Sequence, residues 1–109
     1  MNVRLYFWQR LTAVLMLPLV LAHLAVIFYA TRQGLSAAEI LARTRGSVTW
    51  AAFYSAFVLA AAVHAPIGLR NVLAEWTMLN ARACALVASV FGMLLLGLGL
   101  RAVAAVVMP

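Results

Sequence analysis

An all-α membrane protein with three transmembrane helices is the fold class that this sequence predicts. Hydrophobic residues make up 68% of the 109 residues and charged residues only 9%, too few to cover the surface of a soluble domain this small. Three apolar runs, at about 11–30, 50–73 and 83–107, are each long enough to cross the hydrocarbon core of a bilayer. The length allows one domain, so we expect 1–109 to be a single membrane domain.

The first span is preceded by a short aromatic lead. Arg4 and Arg10 bracket Tyr6, Phe7 and Trp8, and arginine mixed with aromatic residues is typical of a membrane–water boundary. The apolar run that follows is too long for the hydrophobic region of a signal peptide and has no small-residue cleavage site before the next polar segment. We therefore expect it to remain as a membrane span.

The longest polar segment, 31–49, separates the first and second spans. Ser36 followed three residues later by Glu39 fits a capping box, and apolar residues come next. These features predict a short interfacial helix that Gly46 ends.

Small and helix-bending residues mark the last two spans. Pro66 is expected to bend the second span, because proline removes a helical hydrogen bond. Gly92, Gly97 and Gly99 are expected to permit close helix contact in the third. Cys84, the single cysteine, excludes an internal disulfide and is predicted to be an inert core residue.

The net charge of +6 comes from arginine, since the chain contains eight arginines and no lysine. They are scattered between apolar runs and form no basic face, which argues against nucleic-acid binding and favours interfacial anchoring. Charge bias does not orient the protein, because the arginines divide almost evenly between its two sides. One side carries Arg4, Arg10, Arg70 and Arg82, and the other Arg32, Arg43, Arg45 and Arg101.

The two histidines, His23 and His64, both lie inside predicted spans. Ionisable residues within a membrane are costly and are usually functional. Haem iron is one partner that an imidazole between apolar helices can bind, and Gly68, one helical turn from His64, would leave room for a flat group. The alternative is that both histidines are interhelical hydrogen-bonding groups.

The two histidines are predicted to lie at different depths. His64 is six residues from Arg70, roughly 9 Å below the surface that Arg70 marks. His23 is 13 residues past Arg10, roughly 20 Å from the same surface. They are therefore not expected to bind one iron together, and the opposite ligand of a bis-histidine haem would come from another chain.

Few other chemistries are open to this sequence. It has two acidic residues, no glycine-rich phosphate loop and no Ser/His/Asp set, so hydrolysis or phosphoryl transfer by the chain alone is not expected. Four residues at the ends of the first two spans have two possible roles. They either anchor the helices at the interface or form a binding site for a polar head group, with Arg10 and Glu75 as its polar residues and Trp8 and Trp76 as its walls. A haem-free membrane scaffold and a small oligomeric transporter are the rival functions, although the lack of intramembrane carboxylates argues against ion coupling.

Two motifs, Gln9-Arg10-Leu11-Thr12-Ala13 and the stretch 64–75, resemble motifs of the cytochrome b membrane-anchor subunit of succinate dehydrogenase and the related fumarate reductases. The His-Arg-x-Ser/Thr-Gly motif of that family stands here as Gln9-Arg10-Leu11-Thr12-Ala13. The motif His-x-x-x-Gly-Ile/Leu-Arg-His-x-x-x-Asp stands here as 64–75, from His64 through Gly68 and Arg70 to Glu75. The three spans and the polar segment also match, so the resemblance covers nearly the whole chain.

The resemblance implies a role for each matching residue. His64 would be an axial ligand of haem b, with Arg70 near the haem propionates, and His23 would bind a second, distal haem in a two-haem relative. Quinone, the substrate, would bind near residues at the start of the first span and the end of the second: Trp8, Arg10, Thr12, Glu75 and Trp76. Gln9, Ala13 and Asn71 depart from the family pattern, and Tyr6 stands where a serine of the quinone site is common.

The resemblance also implies partners and a location. The chain would pair with a second membrane-anchor subunit and hold the iron–sulfur and flavoprotein subunits on the membrane. It would lie in the bacterial inner (cytoplasmic) membrane with its N-terminus in the cytoplasm. Electrons from succinate would reach quinone through the iron–sulfur centres, and this chain would perform no dehydrogenation itself.

Overall fold

The structure is a computed structural model that describes residues 3–109 and contains four helices over that range. They are α1 (Val3–Gln33), α2 (Ala37–Thr44), α3 (Val48–Trp76) and α4 (Ala81–Val107). Helices α1, α3 and α4 are long and apolar enough to cross a membrane, and the molecule measures 48 × 23 × 23 Å. The predicted fold class is confirmed: three transmembrane helices with a short helix between the first two.

The three long helices begin before the apolar runs that predicted them. The aromatic lead is not a separate element, since α1 includes it from Val3 onward; Met1 and Asn2 lie outside the described residues. Capping side chains set the starts of α3 and α4. Ser47 Oγ accepts a hydrogen bond from Trp50 N at 3.2 Å, and Asn80 Oδ1 accepts one from Ala83 N at 2.8 Å. A hydropathy run marks the hydrocarbon region, whereas a helix begins at its cap.

The short helix α2 begins as predicted, because Ser36 Oγ accepts a hydrogen bond from Glu39 N at 3.2 Å. It ends at Thr44, two residues before Gly46, which adopts a φ of +73°. This segment folds onto the end of α4: Thr44 Oγ1 donates to the Val106 carbonyl at 2.6 Å and Gly46 N to the Val107 carbonyl at 2.7 Å. These bonds satisfy carbonyls that a helix C-terminus leaves without intrahelical partners.

Helix α3 lies between α1 and α4 and makes the main interhelical contacts. It is continuous through Pro66, whose ring packs against Gly92 so closely that a Cβ there would lie 2.6 Å from Pro66 Cγ. A Cβ on Gly99 would lie 2.6 Å from Cγ1 of Val58. The predicted close contact is therefore confirmed at Gly92 and Gly99. Gly97 makes no such contact among the described residues, since nothing outside its own stretch of helix lies within 4 Å of the Cβ position.

The buried apolar residues are small. They are Ala60, Cys84, Ala88 and Val103, and Cys84 is only 1% exposed, which confirms its predicted core position. Most large apolar side chains instead point outward, as expected for helices that meet lipid or other membrane subunits. The interior thus depends on close backbone approach around α3.

Candidate functional site

His64 lies where α3 meets the first turns of α1. Its Nδ1 atom is 3.2 Å from Oγ1 of Thr12 and 3.3 Å from the carbonyl oxygen of Gln9. Thr12 is the buried residue of α1, with 4% of its surface exposed. The antiparallel course of α1 and α3 brings these residues together, although 52 positions separate Thr12 from His64.

A cleft of about 350 Å³ opens beside His64. Arg10 lies on its wall, with its guanidinium carbon 5.1 Å from the centroid of the Tyr6 ring. Oε1 of Gln9 is buried and has no hydrogen-bond partner among the described residues. Gln9 therefore has an unsatisfied acceptor beside the cleft. Its lining residues are Tyr6, Gln9, Arg10, Ala13, His64 and Asn71.

Gly68 lies one turn from His64 and faces Gln9. A Cβ at Gly68 would lie 3.5 Å from Nε2 of Gln9, an ordinary van der Waals distance. The space beside this glycine, which we expected to receive a flat group, is therefore bordered within the chain by the Gln9 amide.

His23 lies in the other half of the molecule. Its ring packs edge-on against Tyr54 and Phe57, with centroid distances of 5.6 and 5.5 Å. It also lines a cavity of about 360 Å³ that all four helices border. Nδ1 of His23 is buried without a hydrogen-bond partner among residues 3–109. The lining is otherwise almost entirely apolar: Ile40, Thr44, Tyr54, Phe57, Val58, Gly99, Ala102, Val103 and Val106.

The structure confirms that the two histidines lie at different depths. His64 is level with Thr12, and His23 is 11 residues further along α1, which corresponds to roughly 16 Å of helix rise. The two rings therefore cannot bind one iron together. In the described part of the chain, no three His, Cys, Asp or Glu residues approach closely enough to hold a metal ion. A metal here would need a histidine from another chain or the nitrogens of a porphyrin.

Residues 2–100 match the model of the succinate dehydrogenase/fumarate reductase transmembrane subunit family. The chain belongs to this family. The match spans α1, α2 and α3 and most of α4, so it covers both histidines and the cleft beside His64. No curated protein and no solved structure matches the chain. The family assignment makes it an integral membrane protein that works with the other subunits of its complex.

The structure does not bring all the predicted site residues of this transmembrane subunit together. Arg70, expected near the propionates, lines a separate cavity of about 150 Å³ that α1, α3 and α4 border, together with Leu5, Pro66 and Ser89. Trp8 and Trp76 are 45% and 81% exposed, and Glu75 is also exposed. Within residues 3–109, none of Trp8, Thr12, Glu75 and Trp76 lines the His64 cleft.

Three polar residues of the cleft have no ligand-binding role in the sequence prediction, which treats them as departures from the family pattern and Tyr6 also as part of the aromatic lead. They are Tyr6, Gln9 and Asn71. The sequence could have indicated Asn71, because it lies seven residues after His64 and therefore on the same face of α3. Gln9 is three residues before Thr12 and lies toward the same side of α1.

Proposed function

We propose that the chain is the haem b-binding membrane-anchor subunit of a succinate:quinone oxidoreductase. It docks the iron–sulfur and flavoprotein subunits, pairs with a second anchor subunit, and contributes to the site where quinone receives electrons from succinate. The single observation that supports haem binding most strongly is the environment of His64. Its Nδ1 lies within hydrogen-bond distance of two oxygens on α1, and this anchors one side of the imidazole ring.

The donor set around His64 fits a haem ligand. Histidines that bind metal usually donate their second ring N–H to a carbonyl or carboxylate oxygen, which orients the ring. Here the Gln9 carbonyl has that position, and the cleft adds a cation, Arg10, and the amides of Gln9 and Asn71. Arg10 and these amides are suited to hold carboxylate groups. Haem b, when bound, supplies one-electron transfer between the iron–sulfur centres and quinone.

Quinone recognition is proposed for the same end of the molecule. Arg10 is positively charged and lies on the wall of the cleft, where it can donate hydrogen bonds to a quinone carbonyl oxygen. The exposed aromatic side chains of Trp8 and Trp76, with Glu75, are surfaces that the iron–sulfur or second anchor subunit would cover. The docked subunits would bury them and complete the quinone site. Under the same proposal, the end of the molecule that contains the His64 cleft and the N-terminus faces the cytoplasmic side of the bacterial inner membrane.

Purification of the intact complex through a tag on this chain tests the proposal. We expect flavin and b-type haem to co-purify. The chemically reduced complex should show the absorption band of b-type haem, and the pyridine haemochrome assay should be positive. Flavin without haem would identify the alternative, a haem-free structural subunit. That alternative has an observation in its favour, because the bonds of His64 to α1 would also join two helices in the absence of haem. A complex with neither flavin nor haem would contradict the whole assignment.

A second haem at His23 is proposed as the two-haem form of the same function. The 360 Å³ cavity and the unpartnered Nδ1 atom favour an additional ligand there. The haem-to-flavin ratio of the purified complex decides between one haem and two. In the two-haem form, His23→Ala halves the haem content, whereas in the one-haem form it leaves that content unchanged.

Arg10→Ala is expected to raise the KM for quinone about 10-fold or more, because a charged hydrogen bond contributes roughly 1.5–3 kcal/mol. Succinate oxidation with a soluble electron acceptor, which does not use the quinone site, is expected to stay at the wild-type level. Arg4→Ala is the matched control, since Arg4 is an exposed arginine on the same helix. A KM that changes equally in both variants would show that Arg10 contributes general surface charge and not a specific contact.

A further inference from the structure

Thr12 has a role that its motif position does not reveal. The sequence resemblance placed it near quinone, but its side chain is buried against α3 and does not line the cleft within the described chain. Its hydroxyl oxygen lies 2.6 Å from the Trp8 carbonyl, 3.2 Å from the Gln9 carbonyl and 3.2 Å from Nδ1 of His64. A hydroxyl group has one hydrogen to donate among these three partners.

The shortest of the three distances determines where that hydrogen goes. The Trp8 carbonyl can only accept, and its 2.6 Å separation is that of a strong O–H···O bond. Donation to the Gln9 carbonyl would have the same consequence, because either bond leaves the Thr12 oxygen as an acceptor towards His64. Both neighbours of His64 Nδ1, Thr12 Oγ1 and Gln9 O, are then acceptors.

The opposite arrangement is unfavourable. If Nδ1 of His64 carried a lone pair, that lone pair would face the lone pairs of the Gln9 carbonyl oxygen at 3.3 Å. The Thr12 hydrogen would also have to leave its bond to the Trp8 carbonyl. The geometry therefore places the proton of the neutral imidazole on Nδ1 and the lone pair on Nε2, the nitrogen that can bind iron.

We propose that Thr12 is a positioning residue that sets the tautomer and ring orientation of His64 and lowers the reduction potential of the haem that His64 binds. An N–H that donates to oxygen acceptors makes the imidazole a more basic ligand. A more basic ligand favours the oxidised, more positive iron, which lowers the midpoint potential. This inference rests on the proposed function and adds to it a residue that tunes the site.

Thr12→Val and Thr12→Ser test the role of the hydroxyl in the purified complex. Valine keeps the shape of threonine and removes the oxygen, whereas serine keeps the oxygen and removes the methyl group. We expect Thr12→Val to raise the midpoint potential, to shift the iron–imidazole vibrational band, and to weaken haem binding about 10-fold or more. Thr12→Ser is expected to keep all three properties close to those of the wild type.

Each outcome of the experiment decides the inference. Complete loss of haem from Thr12→Val with normal haem in Thr12→Ser supports it, because serine retains the hydroxyl that valine lacks. Wild-type potential and vibrational band in Thr12→Val would overturn it, as would an equal defect in both variants, which would indicate that packing of the methyl group matters. A wild-type complex without haem would instead refute the proposed function.

Discussion

Replacing His64 by alanine is expected to abolish the absorption band of the haem that we propose it binds, while flavin and the soluble subunits remain associated. Among the described residues, His64 supplies the only imidazole of the cleft, whose other lining residues are Tyr6, Gln9, Arg10, Ala13 and Asn71. Neither the amides nor the guanidinium group replaces an imidazole as an axial ligand of haem b. The measurement is the reduced-minus-oxidised spectrum of the purified complex, scaled to its flavin content.

Two controls separate loss of the ligand from loss of the fold. Asn71→Ala removes a polar side chain of the same cleft that is not an axial ligand, and we expect it to retain the haem band, at reduced haem occupancy. His64→Gly leaves space for free imidazole, which is expected to restore the band when added at millimolar concentration. An intact band in a stable His64→Ala complex would remove His64 from the ligand set and leave the chain as a structural anchor.

The number and nature of the helices follow directly from composition and hydropathy. A chain that is 68% hydrophobic cannot form a soluble surface, and each apolar run is long enough to span a bilayer. The helix ends were less predictable, because α1 begins at Val3, within a lead that contains arginine and aromatic residues. A hydropathy profile does not detect helical turns that lie among the lipid headgroups, because their residues are polar or aromatic. The caps Ser47 and Asn80 were a signal in the sequence for the starts of α3 and α4.

The candidate site was predictable in part. The position of His64 within a span predicts a functional role for it, since an imidazole in a membrane span needs a partner. Its contact with Thr12 could not be predicted from spacing, because spacing shows which residues share a face of one helix and not which faces meet. That contact depends on the offset between α1 and α3. The same offset places Gln9 beside Gly68.

Arg70 belongs to the same sequence motif as His64 but does not share its cleft in the structure. It follows His64 by six residues, which turns it about 120° away around α3, so the two side chains leave the helix in different directions. The structure accordingly places Arg70 in the cavity towards α4 and Asn71 in the cleft with His64. Any contact of Arg70 with a ligand of His64 would therefore require the ligand to extend around α3 or a rearrangement upon assembly.

Gly99→Ala is expected to destabilise the packing of α4 on α3 by about 1–3 kcal/mol, as overpacked cores do. The new Cβ would lie 2.6 Å from Cγ1 and 3.0 Å from Cγ2 of Val58. Valine in a helix has one strongly preferred rotamer, so its methyl groups cannot easily turn aside, and the helices must separate. The measurement is thermal denaturation of the detergent-solubilised complex, followed by helical circular dichroism and by release of the soluble subunits.

Gly97→Ala is the matched control, because it adds the same methyl group to the same helix where, among the described residues, nothing outside its own stretch of helix lies within 4 Å. Alanine has a higher helix propensity than glycine, so this variant is expected to be neutral or more stable by up to about 1 kcal/mol. Val58→Ala in the Gly99→Ala background removes the clashing methyl groups, and a favourable coupling energy in that double-mutant cycle would assign the defect to this contact. Equal melting temperatures for Gly97→Ala and Gly99→Ala would show that α4 does not depend on close approach to Val58.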